Sequence, residues 1–223
     1  MKITRELLED LKVSERNLEK FQKLGGDGEL RDLISKGSHW NFNFLNWILS
    51  KVLTNEEYKK FSINSVESGL FIFKKIYPQE DSLDIILERI KNNSFKYDEV
   101  YFSFTKILNQ ANNDVVENIN KSWEKNQSLN LEDFQRNTEV NKYLGAANIC
   151  MAVQALITDD FFGGSESLRT HLKIVFRLVS NALDYYITVY NNYWEKFGPV
   201  YGNASDLKKQ ILLYGCKLIE ERV

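Results

Sequence analysis

Apolar residues recur along the chain at intervals of three and four, the spacing of one face of an α-helix, and no strand-type alternation is sustained between turn signals. The stretch from Arg5 to about Leu11 predicts a short first helix. Ser14 opens a second, with Leu18, Phe21 and Leu24 on one face and Gly25 just past its end. Gly25-Gly26-Asp27-Gly28 reads as a loop, and Glu29 to Ile34 as about two helical turns. Lys36-Gly37-Ser38 interrupts the pattern before a helix that carries Trp40, Phe44, Trp47, Ile48 and Leu49.

The clearest punctuation comes next. Thr54 followed by Glu57 is a capping box, in which each side chain satisfies a backbone N–H left over at a helix start. Phe61, Val66, Leu70 and Phe73 then keep helical spacing until Tyr77-Pro78, where proline removes a donor and restricts the residue before it. Asp81 or Ser82 caps the following helix. Ser94 opens a long segment bearing Val100, Phe104, Ile107, Leu108, Val115 and Ile119, which Asn109, Asn112, Asn113 and Asp114 predict to bend or divide into two helices. A further helix is expected from about Leu131 to Thr158-Asp159-Asp160, and the longest from Ser165 to about Lys196, roughly 45 Å at 1.5 Å per residue. The prediction is an all-α protein of one domain over residues 1–223, built from about eight to ten helices, with the helix near 165–196 at its centre.

Composition narrows the function classes. Hydrophobic residues at 43% and aromatics at 13% supply a packed interior. Because 29 basic residues are balanced by 31 acidic ones, the net charge of −2 gives no field that would gather nucleic acid. Lys59-Lys60, Lys74-Lys75 and Lys208-Lys209 are interleaved with acids and read as solvated helix faces. No apolar leader precedes Thr4, and no apolar run reaches the roughly 20 residues of a membrane span, so a cytoplasmic protein is expected. Cys150 and Cys216 sit in apolar helical contexts, where cysteine serves as a small buried hydrophobe rather than a disulfide partner.

The stretch Thr54 to Ile90, with its capped helix, IFKKIYP ending, polar turn and second amphipathic helix, resembles a family of small all-helical bacterial and phage immunity proteins of polymorphic toxin systems. Ile3-Thr4-Arg5-Glu6-Leu7-Leu8 is similar to that family's start, Asn46-Trp47-Ile48-Leu49 with Val52-Leu53 to its tryptophan-bearing helix, and Leu207 to Ile219 to its last helix. Residues 95–200 depart from the family's alanine-rich second half, being rich in Asn, Tyr, Phe and Val. The resemblance implies a toxin-binding role and no catalytic chemistry.

Candidate chemistry within the chain is sparse. Asp159-Asp160-Phe161-Phe162-Gly163 offers an aspartate pair that could hold magnesium for a diphosphate or nucleotide. The expected further acid one turn on is replaced by Gly163, and one pair cannot complete octahedral oxygen ligation. Gly163-Gly164-Ser165 lacks the lysine and spacing of a phosphate loop and reads as an N-cap. The two histidines, His39 and His171, have no ligand or nucleophile partner at a useful spacing. The aromatics carry more information. Tyr185, Tyr186, Tyr190, Tyr193 and Trp194 spread further around a helix than one buried stripe can absorb, and Tyr and Trp are the residue types of binding hot spots. Tyr186 and Tyr190 read as core; Trp40, Tyr185 and Trp194 are the candidate partner-binding residues. The expected function is non-enzymatic binding of a cognate protein toxin, blocking it sterically, with no cofactor, metal, nucleic acid or membrane. The alternatives are a helical adaptor or phage accessory protein for a host factor, and a magnesium enzyme using Asp159 and Asp160.

Overall fold

A computed structural model of the chain describes residues 1–37, 42–94, 97–125, 138–162, 172–186 and 204–222. The all-α expectation holds, with ten helices among the described residues. They are α1 (Arg5–Asp10), α2 (Glu15–Lys23), α3 (Leu30–Lys36), α4 (Phe42–Val52), α5 (Asn55–Ile76), α6 (Ser82–Lys91), α7 (Tyr97–Lys125), α8 (Thr138–Phe162), α9 (172–186) and α10 (Ala204–Glu220). A two-residue ribbon departs from the strand-free reading: β1 (Lys2–Ile3) pairs antiparallel with β2 (Gly28–Glu29). Strands this short leave no alternation for a sequence to show. The chain divides into two compact units, one formed by Met1–Asn64 with Ser205–Val223 and the other by Ser65–Ala204.

In the first unit, local signals set each element. Thr4 caps α1 by accepting the Leu7 N–H at 3.2 Å, and Asp27 reaches back to accept the Arg5 N–H at 2.9 Å. Helix α2 ends as its glycines predict. Gly26 N–H bonds the Phe21 carbonyl and Gly25 N–H that of Gln22, while φ values of 111° at Gly25 and 71° at Gly26 lie where a side chain would be strained. The capping box forms as read. Glu57 accepts the Thr54 N–H at 2.7 Å, and Thr54 Oγ1 accepts the Glu57 N–H at 3.3 Å. The Arg222 guanidinium completes this corner, ion-pairing with Glu57 and donating to the Val52 carbonyl at 3.0 Å.

That corner titrates. The Arg222 pairing, with the bonds from Thr54, lowers the Glu57 carboxyl from the ordinary 4.5 to about 2. A depressed pKa means stabilisation present above about pH 4.5 and lost as pH falls through about 2. Glu57→Gln is therefore expected to cost about 1 kcal/mol at pH 7, the usual value of a helix cap. Thermal melts of the two proteins should converge as pH falls toward 2.

Beneath these links lies an apolar core that includes Phe21, Leu45, Ile48, Leu49 and Phe61, all fully buried. Tyr58 stacks on Phe61 with ring centroids 5.6 Å apart and donates its hydroxyl to buried Asn46 at 3.0 Å. Among the described residues Lys208 is the one buried charged side chain: it is 1% exposed, with its ammonium 5.9 Å from the centroid of the Phe42 ring.

In the second unit α7 lies along α8, and α6 packs on both. Gly69 of α5 marks a close approach. A Cβ there would stand 2.7 Å from Ile149 Cδ1 of α8 and 3.1 Å from Val179 Cγ1 of α9, and both neighbours are fully buried. Gly69→Val should cost about 1–3 kcal/mol through overpacking, more than any gain from removing a helical glycine. Chemical denaturation would check this as a lower midpoint at unchanged slope. At the end of α5 the Tyr77 N–H makes the last helical bond to Phe73, and Lys74 ties the turn to α6 through the Glu80 carbonyl at 2.9 Å, Asp81 and Asp84. Among the described residues no helix is long and apolar enough to cross a membrane.

Candidate interaction surface

Helix α7 is one continuous helix of 29 residues, not the two separate helices that its asparagines predict. Burial overrides propensity here. Phe104, Ile107 and Ala111 are buried along one face, and the few tenths of a kcal/mol that each asparagine costs do not outweigh the 1.5–3 kcal/mol gained by burying a large apolar side chain.

The opposite face of the same helix is unusual. Phe102 is 83% exposed, Val116 55% and Trp123 56%. With exposed Asn109 these residues fall seven apart, so they form one stripe along nearly the whole helix. Tyr101, 41% exposed, widens its start. An isolated exposed apolar residue is ordinary, whereas aromatic anchors aligned on a rigid helix provide area with little entropy left to lose.

Half of the polar residues beside the stripe are amides. A shallow depression of about 550 Å³ is lined by Phe102, Thr105, Lys106, Asn109, Gln110, Asn113 and Asp114. Amide side chains both donate and accept, which suits a peptide surface without demanding charge. Gln110 also borders a smaller hollow of about 210 Å³ with Phe73, Tyr77, Pro78, Gln79, Glu80 and Ile107. Between the two, Tyr77 donates its hydroxyl to Asp114 at 2.5 Å, fixing the ring to α7. Burial, reinforced by that carboxylate, raises the phenol well above its ordinary value, so Tyr77 acts as a neutral donor. Toward Trp123, Lys121 pairs with Glu117 at 2.5 Å, which keeps this end of the face near neutral.

Of the three residues singled out by sequence, Trp40 and Trp194 lie outside the described residues. Tyr185 sits in α9, half-buried, with its Cβ 3.8 Å from the place a Cβ would take on Gly145 of α8. That contact makes it partly a packing residue. Tyr186 is core, as read, with its ring edge-on to Phe71 at 5.0 Å. The α7 stripe was missed by sequence reasoning, although the seven-residue spacing of Phe102, Val116 and Trp123 was there to be seen.

The other chemical candidates gain little. Asp159 and Asp160 fall within the helical backbone of α8, which runs on to Phe162; Gly163, Gly164, Ser165, His39 and His171 lie outside the described residues. Among the described residues no group of three or more His, Cys, Asp or Glu side chains is placed to hold a metal ion. Both cysteines are free and buried, and burial pushes the Cys150 thiol up to about 12 and that of Cys216 to about 11. Neither is a ready thiolate at neutral pH. Comparison with protein-family models, curated protein sequences and solved structures gave no match.

Proposed function

We propose that this is a non-enzymatic cytoplasmic binding protein that neutralises a cognate toxin by covering it, with the outer face of α7 as the contact surface. The observation that carries the reading is the aligned exposure of Phe102, Val116 and Trp123 on a single rigid helix. The resemblance of Thr54–Ile90 to immunity proteins supplies the kind of partner.

Size sets a condition on the complex. A helix of 29 residues is about 43 Å long and presents a strip about 10 Å wide, roughly 430 Å². Stable complexes bury about 800 Å² on each partner, so the toxin must also touch ground beside α7. The amide-lined depression next to Phe102 is the nearest such ground.

The test is capture of the tagged protein from its native host, followed by co-expression with any stoichiometric partner. A partner encoded beside this gene, toxic alone and harmless when co-expressed, is the expected result. A stoichiometric host protein encoded elsewhere would replace the immunity reading with an adaptor role, and absence of any protein partner would sink both.

A further inference from the structure

The exposed stripe of α7 is laid out symmetrically along the helix. Phe102 and Trp123 stand at equal distances, about 16 Å, on either side of the point between Asn112 and Asn113. Both of those asparagines are exposed, as are Asn109 and Val116, one heptad inside the two aromatics. A second copy of the helix crossing antiparallel at that point sets each Phe102 against the other's Trp123 and each Val116 against the stem of the other's Asn109. The central amides then meet one another, and each can both donate and accept. A seven-residue spacing keeps such a seam in contact, because helices crossing at about 20° wind round each other.

We propose that this face pairs with a second copy of the chain, antiparallel through α7, about a two-fold axis passing between Asn112 and Asn113. Charge fixes the direction. Lys106 is exposed and makes no ion pair among the described residues. Antiparallel pairing brings it within two residues, about 3 Å along the axis, of the position opposite Glu117 of the other copy, and the symmetry makes that contact twice. Parallel pairing would set Lys106 against Lys106 and Glu117 against Glu117. Glu117 meets Lys121 of its own helix through Oε1, in a pair exposed on both sides that constrains it little and leaves the second oxygen to accept. Area sets the strength. A strip of roughly 430 Å² per copy is about half of the ~800 Å² that stable complexes bury on each partner, so the pair belongs to the transient class. The chain is then mostly monomeric at about 10 μM and mostly paired near 1 mM, and a tighter partner can displace the second copy.

The pairing uses the same face as the toxin reading but does not rest on it, since it needs no other protein. The experiment is sedimentation equilibrium of the purified full chain from about 10 μM to about 1 mM, at low and at high salt. Mass rising from 26.1 kDa toward twice that value is expected, with weaker association at high salt. Lys106→Glu and Glu117→Lys should each weaken association about five-fold or more, because each turns two attractive contacts into repulsive ones. The double variant should return close to the parent. Within one rigid helix the two positions are about 16 Å apart, so rescue can come only through another copy. Trp123→Ala removes both aromatic pairs and should weaken association at least about ten-fold with the melting temperature unchanged. A monomer at every concentration, association indifferent to Trp123→Ala, or charge reversals without rescue would overturn the pairing. A monomeric result would leave the face to a foreign partner and the toxin reading untouched.

Discussion

Phe61→Ala is expected to lower stability by about 3–5 kcal/mol, the cost of deleting a fully buried aromatic ring and leaving the space unfilled. The ring is 0% exposed and stacked on Tyr58. Its loss would also loosen Tyr58, whose hydroxyl is committed to Asn46. Gly215 of α10 is the obvious place from which to refill the cavity, since a Cβ there would come within 3.3 Å of Phe61 Cδ2. Refilling should nevertheless fail. The same Cβ would stand 2.8 and 2.9 Å from the two methyl carbons of Leu49, which remain after the ring is gone. Urea unfolding of Phe61→Ala, Gly215→Ala and the double variant would show this: both singles are destabilised, and the coupling between them stays well short of restoring the parent. A Phe61→Ala midpoint within the error of the parent would contradict the packing described for the first unit.

The second large effect concerns recognition rather than stability. Phe102→Ala and Trp123→Ala should leave the denaturation midpoint nearly unchanged, because surface substitutions away from special features usually fall within about 0.5 kcal/mol. Each should weaken the captured partner by 2 kcal/mol or more, roughly thirty-fold, if it is a desolvated anchor at the interface. Lys121→Ala serves as the control. Its ion pair with Glu117 is exposed on both sides, and such pairs contribute little. Calorimetric titration of the four proteins against the partner would decide. Affinity indifferent to both aromatic substitutions would remove α7 from the interface even if the partner itself is confirmed.

How much of this was legible beforehand differs by element. The Thr54–Glu57 box, the Gly25-Gly26 stop and the Tyr77-Pro78 break could be read because each is a local hydrogen-bonding problem with few solutions, and each formed as read. The continuity of α7 could not, since asparagine preference is local while the burial that overrides it is tertiary. The exposed stripe was hidden for a related reason. Phe102 and Phe104 are two positions apart and equally apolar, and only packing against α6 and α8 decides which turns inward. Helix α8 was hard to place because Val140, Ala146, Ile149, Ala152 and Val153 are buried on several sides, leaving little amphipathic contrast to mark its face. Tyr185 was identified by spread around the helix, but the glycine that brings α8 against it lies forty residues earlier.

The burial of Lys208 provides an unplanned reporter. An amine sealed beneath the surface and laid over the Phe42 ring is closed to acylating reagents while the first unit is folded, whereas neighbouring Lys209 is partly open to solvent. Adjacent in sequence and released in one proteolytic fragment, the two lysines form an internal ratio. Labelling of Lys209 reports reagent exposure, and labelling of Lys208 reports opening of the unit, so local breathing can be timed by mass spectrometry without introducing a probe.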